Sequence, residues 1–428
     1  MPQRLPTVAY FVLVALALAL TAGFGLGLWL LLARTEGLTT FGIVWLALVQ
    51  VHGTIQLFGF AALFLMGVGL HVLPRFRGAP PPPRSLTAVA LGATLFAIVL
   101  RTVAQPFPAL AGRDALLVLS SVLLLLGTLA FASAAIAALR GGTNPHRQDE
   151  LVIAAGIIGA PAAALLVGAA IPLRGSALLV DQASDDRAIW AMLLGCLATS
   201  IFGVWARLAP GFVATPPAPP RRLLAGAGLW LVGVVATIAG VPFASLPLLA
   251  GVATITWAVG IFGPSIARQP LPEHARATRL ALRSAFAWAL VGAALLLWYD
   301  VRHAAGGAAA SYLEVSGARH AFALGLIALA IYGVAARALP SFLDRRLWSQ
   351  RLAWAIVVLA DAGVALRVLP QALGAEGDAA NAVVALSGVL AYAALLCFAL
   401  NVVQTIRSAP ITPDRTPARG APITLRTR

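Results

Sequence analysis

The chain has 428 residues, of which 60% are hydrophobic and 11% charged, and its mean hydropathy is +0.91. A water-soluble domain keeps a polar face on most of its helices, so this composition excludes one. The formal net charge of +15 calls for no nucleic acid, because Arg clustered at membrane surfaces meets anionic lipid headgroups.

Twelve apolar runs follow one another along the chain, at about 8–33, 42–73, 85–106, 115–139, 150–172, 188–209, 222–240, 245–266, 279–300, 317–339, 352–370 and 380–406. As a helix, each is long enough to cross a hydrocarbon core of about 30 Å. The predicted fold is therefore an all-α membrane protein of twelve transmembrane helices, in one polytopic domain over residues 1–407. The first run is too long for a signal-peptide core and counts as the first helix. Linkers are short and rich in Pro, as at Pro80-Pro81-Pro82-Pro83, where Pro stops helices at the surface. Residues 408–428 are polar and Pro-rich and read as a disordered tail. Every one of the 30 basic residues is Arg. With both termini and the even-numbered loops in the cytoplasm, 22 of them fall inside and 8 outside. That asymmetry is the positive-inside signal and fits a bacterial inner membrane.

The second, sixth and tenth runs close on one cassette. It reads Gly67-Val68-Gly69-Leu70-His71-Val72-Leu73-Pro74, then Gly203-Val204-Trp205-Ala206-Arg207-Leu208-Ala209-Pro210, then Gly333-Val334-Ala335-Ala336-Arg337-Ala338-Leu339-Pro340. An aromatic follows two residues after each Pro, at Phe76, Phe212 and Phe342. The copies recur after 136 and then 130 residues, room for four membrane helices each time. Three pseudo-repeated four-helix units are expected, and the differences between them should mark the site.

Aligned on the cassettes, the second helix carries His52 fifteen residues before its Gly, and the tenth carries His320 thirteen before. At that position the sixth has Trp190. Twenty-seven residues after the cassette Pro stand Arg101, Thr237 and Arg367. The two units with a membrane His also have a membrane Arg; the middle unit lacks both. A lone His is commonly an interhelical hydrogen-bonding group, and an Arg near a helix end commonly snorkels. An Arg at helix depth costs about 2.5–3.5 kcal/mol, however, and here two of them share a level with two imidazoles. The set suits one bis-His haem b, with His52 and His320 as iron ligands and Arg101 and Arg367 on the propionates. The two-residue offset turns the pair to opposite helix faces, by about 200°, as two ligands entering one cleft from different helices require.

Other polar groups are weaker candidates. His71 reads as a headgroup contact, while His146, His274 and His303 read as loop residues. Asp361, six residues before Arg367, is either a proton-carrying group or a structural hydrogen-bond partner. Cys196 and Cys397 lie in separate helices without metal spacing and read as core residues.

The stretch Val51-His52-Gly53-Thr54-Ile55-Gln56-Leu57-Phe58-Gly59-Phe60, running on to Leu73-Pro74, resembles the second-helix signature of the NnrS family. His320-Ala321-Phe322-Ala323-Leu324-Gly325 is similar to that family's tenth-helix signature, and Phe202-Gly203-Val204 with Arg207 fits its sixth helix. The resemblance implies a haem-containing membrane protein linked to nitric oxide metabolism or nitrosative stress. It also implies a distant relation to the haem–copper oxidase catalytic subunit, whose low-spin haem is held by His on helices 2 and 10. Two departures matter. The sixth and seventh helices lack the His of an oxidase copper site. Thr54 and Ile55 stand where NnrS proteins commonly have a second His and a Glu, which would deprive copper of two ligands. A bis-His iron has no open position, which favours electron transfer with a redox partner protein or quinol. The rival readings are a degenerate oxidase-like subunit and a proton-coupled transporter without haem, in which Asp361, Arg101 and Arg367 would handle substrate or protons.

Overall fold

The structure, a computed structural model, describes residues 5–36, 42–170 and 181–410, and its regular elements there are helices. In chain order they are α1 Thr7–Thr35, α2 Val44–Arg77, α3 Arg84–Ala104, α4 Arg113–Arg140, α5 Gln148–Ala169, α6 Gln182–Val213, α7 Pro220–Ala239, α8 Ser245–Val259, α9 Ala275–Ala304, α10 Tyr312–Phe342, α11 Gln350–Ala372 and α12 Asp378–Arg407. Eleven are long and apolar enough to span a membrane. The exception is α8, expected over 245–266. It ends at Val259, where Gly260 takes a left-handed conformation (φ 67°), and its 15 residues reach only about 22 Å. The tail beyond Pro410 lies outside the described residues, as does the side chain of His274.

Burial sorts the spans into two classes. In α2, α6 and α10, 83%, 89% and 78% of the most apolar stretch is buried; in the other long helices the share is between a third and a half. Helices apolar all round belong inside, and these three form the centre. Around them α3 packs along α4, α7 along α8, and α11 along α12, while α1 runs beside α2 and α12.

The central helices share one local construction. Each contains an eight-residue π-helical segment: Ile55–Ala62, Ala191–Ala198 and Ala321–Ala328. These segments start 136 and 130 residues apart, the spacing of the cassettes. Such runs are rare in proteins and concentrate at functional sites. After each, an α-helical stretch carries the cassette Pro (Pro74, Pro210 and Pro340). The chain then turns through a left-handed residue at the same register, Gly78, Ala214 or Asp344 (φ 63°, 53° and 52°). A cap of this kind satisfies the last carbonyls of a helix.

At this end the three cassettes interlock. The Arg207 guanidinium lies over the ring of Phe76 at 5.0 Å, and Arg337 over Phe212 at 5.8 Å. His71, which occupies the same cassette position, packs on Phe342 with ring centroids 4.2 Å apart. Each cassette thus gives one basic group to a neighbour and receives another, and the three contacts close a cycle. Each of the two Arg stacks is worth about 0.5–1 kcal/mol at an exposed site, and more where it is desolvated; the His71–Phe342 contact is a packing of two rings.

Candidate functional site

His320 closes the first α-helical stretch of α10, directly before the π-segment. Its register is set from the helix start. Ser311 and Glu314 form a reciprocal capping box, and Arg302 from the end of α9 grips both Glu314 oxygens at 2.6 and 2.9 Å. Two turns on, Nδ1 of His320 lies 2.7 Å from the Ser316 carbonyl oxygen. His52 stands three residues before the π-segment of α2, and its Nδ1 lies 2.9 Å from the carbonyl oxygen of Gly23 in α1. A carbonyl only accepts, so both rings carry their proton on Nδ1 and donate it there. Each Nε2 is left with a lone pair and no protein partner among the described residues. This is the arrangement by which ligating imidazoles are ordinarily oriented.

The two imidazoles line one cavity. It encloses about 1510 Å³ of space unfilled by protein atoms, the open mouth included, between α1, α2, α10, α11 and α12, with Ile189 and Leu193 of α6 reaching its wall. His52 and His320 are near enough to interact electrostatically. Most of the wall is apolar, from residues such as Phe24, Leu31, Leu57, Phe60 and Leu324. Among the described residues three guanidiniums also line it, those of Arg34, Arg319 and Arg367, and no carboxylate does. Within this wall Nε and Nη1 of Arg367, Nε of Arg319 and Nε1 of Trp45 are buried donors without a hydrogen-bond partner among the described residues, and so is one acceptor, Oε1 of Gln371. An unsatisfied buried donor costs about 1–3 kcal/mol, so four in one wall suit an acidic ligand. Arg319 is held from α6, where Asp186 Oδ1 lies 2.6 Å from its Nη2 and the Trp190 ring lies 5.1 Å from its Cζ. The unit without a His therefore supports the site through a neighbouring residue.

Of the residues singled out by sequence, His52, His320 and Arg367 come together in this cavity. Arg101 does not line it. Its Nε donates to Gln105 Oε1 at 2.9 Å, and Gln105 donates to Gln50 Oε1 at 2.8 Å, in a buried chain beside α2. Asp185 lies within electrostatic range of both Arg101 and Arg319. Asp361 accepts a hydrogen bond from Trp288 Nε1 at 2.7 Å and is also absent from the cavity wall, so its observed contact is the structural one. His146 sits against Glu150 and Arg77, and the exposed His303, expected in a loop, lies in the last turn of α9 beside the Gly307 carbonyl. The residues that sequence reasoning missed are Arg34, Arg319, Trp45 and Tyr312. The signal for Arg319 was its place beside His320; for the others there was only an outer-end position on a helix.

Among the described residues no three His, Cys, Asp or Glu side chains gather as a metal-ion cluster. Between α6, α7, α9 and α10 the space is filled by Phe202, Trp230, Phe286 and Phe322, none with any exposed surface. Trp230 there donates to Thr199 Oγ1 at 2.9 Å. No curated protein matches the chain. The family profile described as NnrS protein matches residues 10–409, nearly its whole length. The chain is a multi-pass membrane protein of the NnrS family.

Proposed function

We propose that this protein binds one b-type haem in the cavity between α2 and α10, with Nε2 of His52 and of His320 as its axial ligands. The observation that carries the reading is the pair of imidazoles, each fixed by a carbonyl at Nδ1, presenting Nε2 atoms without a partner among the described residues to one cavity whose charged lining residues, among those described, are Arg34, Arg319 and Arg367. A haem has the matching chemistry: an iron that takes two imidazole nitrogens, a large apolar face, and two carboxylates. Arg367 is the first partner for those carboxylates, because two of its nitrogens are buried without any other. Arg34 and Arg319 complete the cationic side of the cavity. Arg101, paired with Arg367 by the repeat alignment, donates its Nε to Gln105 and lies outside the cavity wall, with its Nη1 also buried without a hydrogen-bond partner among the described residues.

The bound haem would supply a one-electron couple. The residues supply the rest. The Gly23 and Ser316 carbonyls hold the Nδ1–H tautomer of the two rings, so that each Nε2 keeps its lone pair free for the iron. The apolar walls keep water out and lower the local dielectric, which strengthens the guanidinium–carboxylate contacts. His52 and His320 would both hold the iron, and with two protein ligands the haem would supply electron transfer as the role, with a redox protein or quinol as partner. By family resemblance that role lies in nitric oxide metabolism or the response to nitrosative stress.

We further read the fold as three related four-helix units around α2, α6 and α10, inserted in a bacterial inner membrane with both termini in the cytoplasm. The common spacing of the π-segments and the cyclic contacts of the cassettes support the first statement, and the distribution of Arg the second. The test is the reduced-minus-oxidised absorption spectrum of protein purified from haem-sufficient cells. A low-spin haem b spectrum in the wild type, converted to a high-spin one in both His52→Ala and His320→Ala, is expected. A colourless wild-type protein would return the cavity to the transporter reading.

A further inference from the structure

The two imidazoles are held by different means. His320 is fixed from its own helix, by the carbonyl and more distantly by the hydroxyl of Ser316 one turn back. His52 depends on another helix. Its carbonyl partner, Gly23, ends the π-segment Ala19–Gly23 of α1 and has a ψ of −104°, far from the helical value of about −42°. Next along α1 comes Gly27, where the helix has resumed. A Cβ built at Gly27 would stand 2.5 Å from Cε1 of His52, 3.1 Å from Nδ1 and 3.2 Å from Nε2, and these are its three nearest neighbours. Real Cβ contacts do not come that close. The imidazole therefore occupies the space that any other residue at 27 would fill.

We infer that Gly27 is a positioning residue for His52: α1 sets the ring from two sides, with the Gly23 carbonyl fixing its tautomer and the bare Cα of Gly27 fixing its plane. The inference rests on the haem reading for what the ring is positioned to do, but the contact itself is a property of the protein alone. A displacement of α1 acts on one imidazole and leaves the other in place. Of the two proposed ligands, His52 is then the one that can be released, and a small axial ligand such as carbon monoxide would enter on its side.

A stability cycle and a spectrum test this separately, both on the full chain purified in detergent. Ala suits a helix interior better than Gly, so Gly27→Ala without the collision should leave the thermal midpoint unchanged or raise it. In the wild-type background the substitution should lower the midpoint; in the His52→Ala background it should not. Gly228→Ala, where an added Cβ meets nothing within 4 Å, controls for the methyl group. In haem-loaded protein, Gly27→Ala should take on the spectrum of His52→Ala and bind carbon monoxide when reduced, with His320 still coordinated. Equal midpoint changes in both backgrounds, or a wild-type spectrum in Gly27→Ala that carbon monoxide does not alter, would overturn the inference. Haem-free wild-type protein would sink the haem reading and leave the stability cycle to decide the role of Gly27.

Discussion

Replacing Arg367 by Leu should change the stability of this protein in opposite directions with and without haem. In the haem-free protein the guanidinium is a cation in a membrane helix, with Nε and Nη1 left without a hydrogen-bond partner among the described residues. Insertion scales set the cost of an Arg at that depth at about 2.5–3.5 kcal/mol, and each unsatisfied donor adds to it. Leu removes both burdens and fills part of the same space, so haem-free Arg367→Leu should be more stable by about 2 kcal/mol. With haem bound, the same change deletes a charge-assisted contact worth about 1.5–3 kcal/mol, which is a roughly ten- to hundredfold loss in affinity. The assay is thermal unfolding of haem-loaded and haem-depleted protein in one detergent, together with the rate at which apomyoglobin strips the haem. Should Leu destabilise the haem-free form, Arg367 has a partner within the protein and its nitrogens are not reserved for a ligand.

Three smaller changes probe other parts of the account. Arg101→Leu should leave the haem spectrum intact, because this residue belongs to the Gln105–Gln50 chain; loss of the spectrum would restore it to the site. Ala214→Gly should raise the thermal midpoint by the equivalent of about 1 kcal/mol, since Ala214 is held at a φ of 53° where Gly bears no steric cost. Trp288→Phe leaves the Asp361 carboxylate without its observed donor and should cost about 1–3 kcal/mol, measured by thermal unfolding. An unchanged midpoint would mean that Asp361 finds another partner or that water reaches it.

The spans were legible because hydrocarbon imposes a length and composition that few other environments demand, and eleven of the twelve expected runs are long apolar helices. The run at 245–266 was read too long because apolar composition continues past Gly260, and composition does not register a left-handed turn. The π-segments were invisible for a related reason. Residues such as Ala191–Ala198 suit an α-helix equally well, and the longer register is set by packing among α2, α6 and α10. The comparison of cassettes singled out His52, His320 and Arg367, which line one cavity, because unlike residues at equivalent positions stand out against a common frame.

The same comparison also paired Arg101 with Arg367, and of the two only Arg367 lines the cavity. Position along a helix gives depth in the membrane but not direction around the axis. Arg101 shares a depth with the site and turns toward Gln105, whereas Arg34 and Arg319 reach the cavity from α1 and α10. Gly27 was equally hidden, since the absence of a side chain has meaning only once the neighbouring imidazole is located.

The central claim is that two imidazoles from different helices meet on one iron, and electron paramagnetic resonance of the oxidised, purified protein tests it most directly. The account predicts a low-spin ferric signal in the wild type that becomes high-spin in His52→Ala and in His320→Ala alike. A high-spin wild type, a low-spin signal that survives either substitution, or protein without haem iron would contradict it.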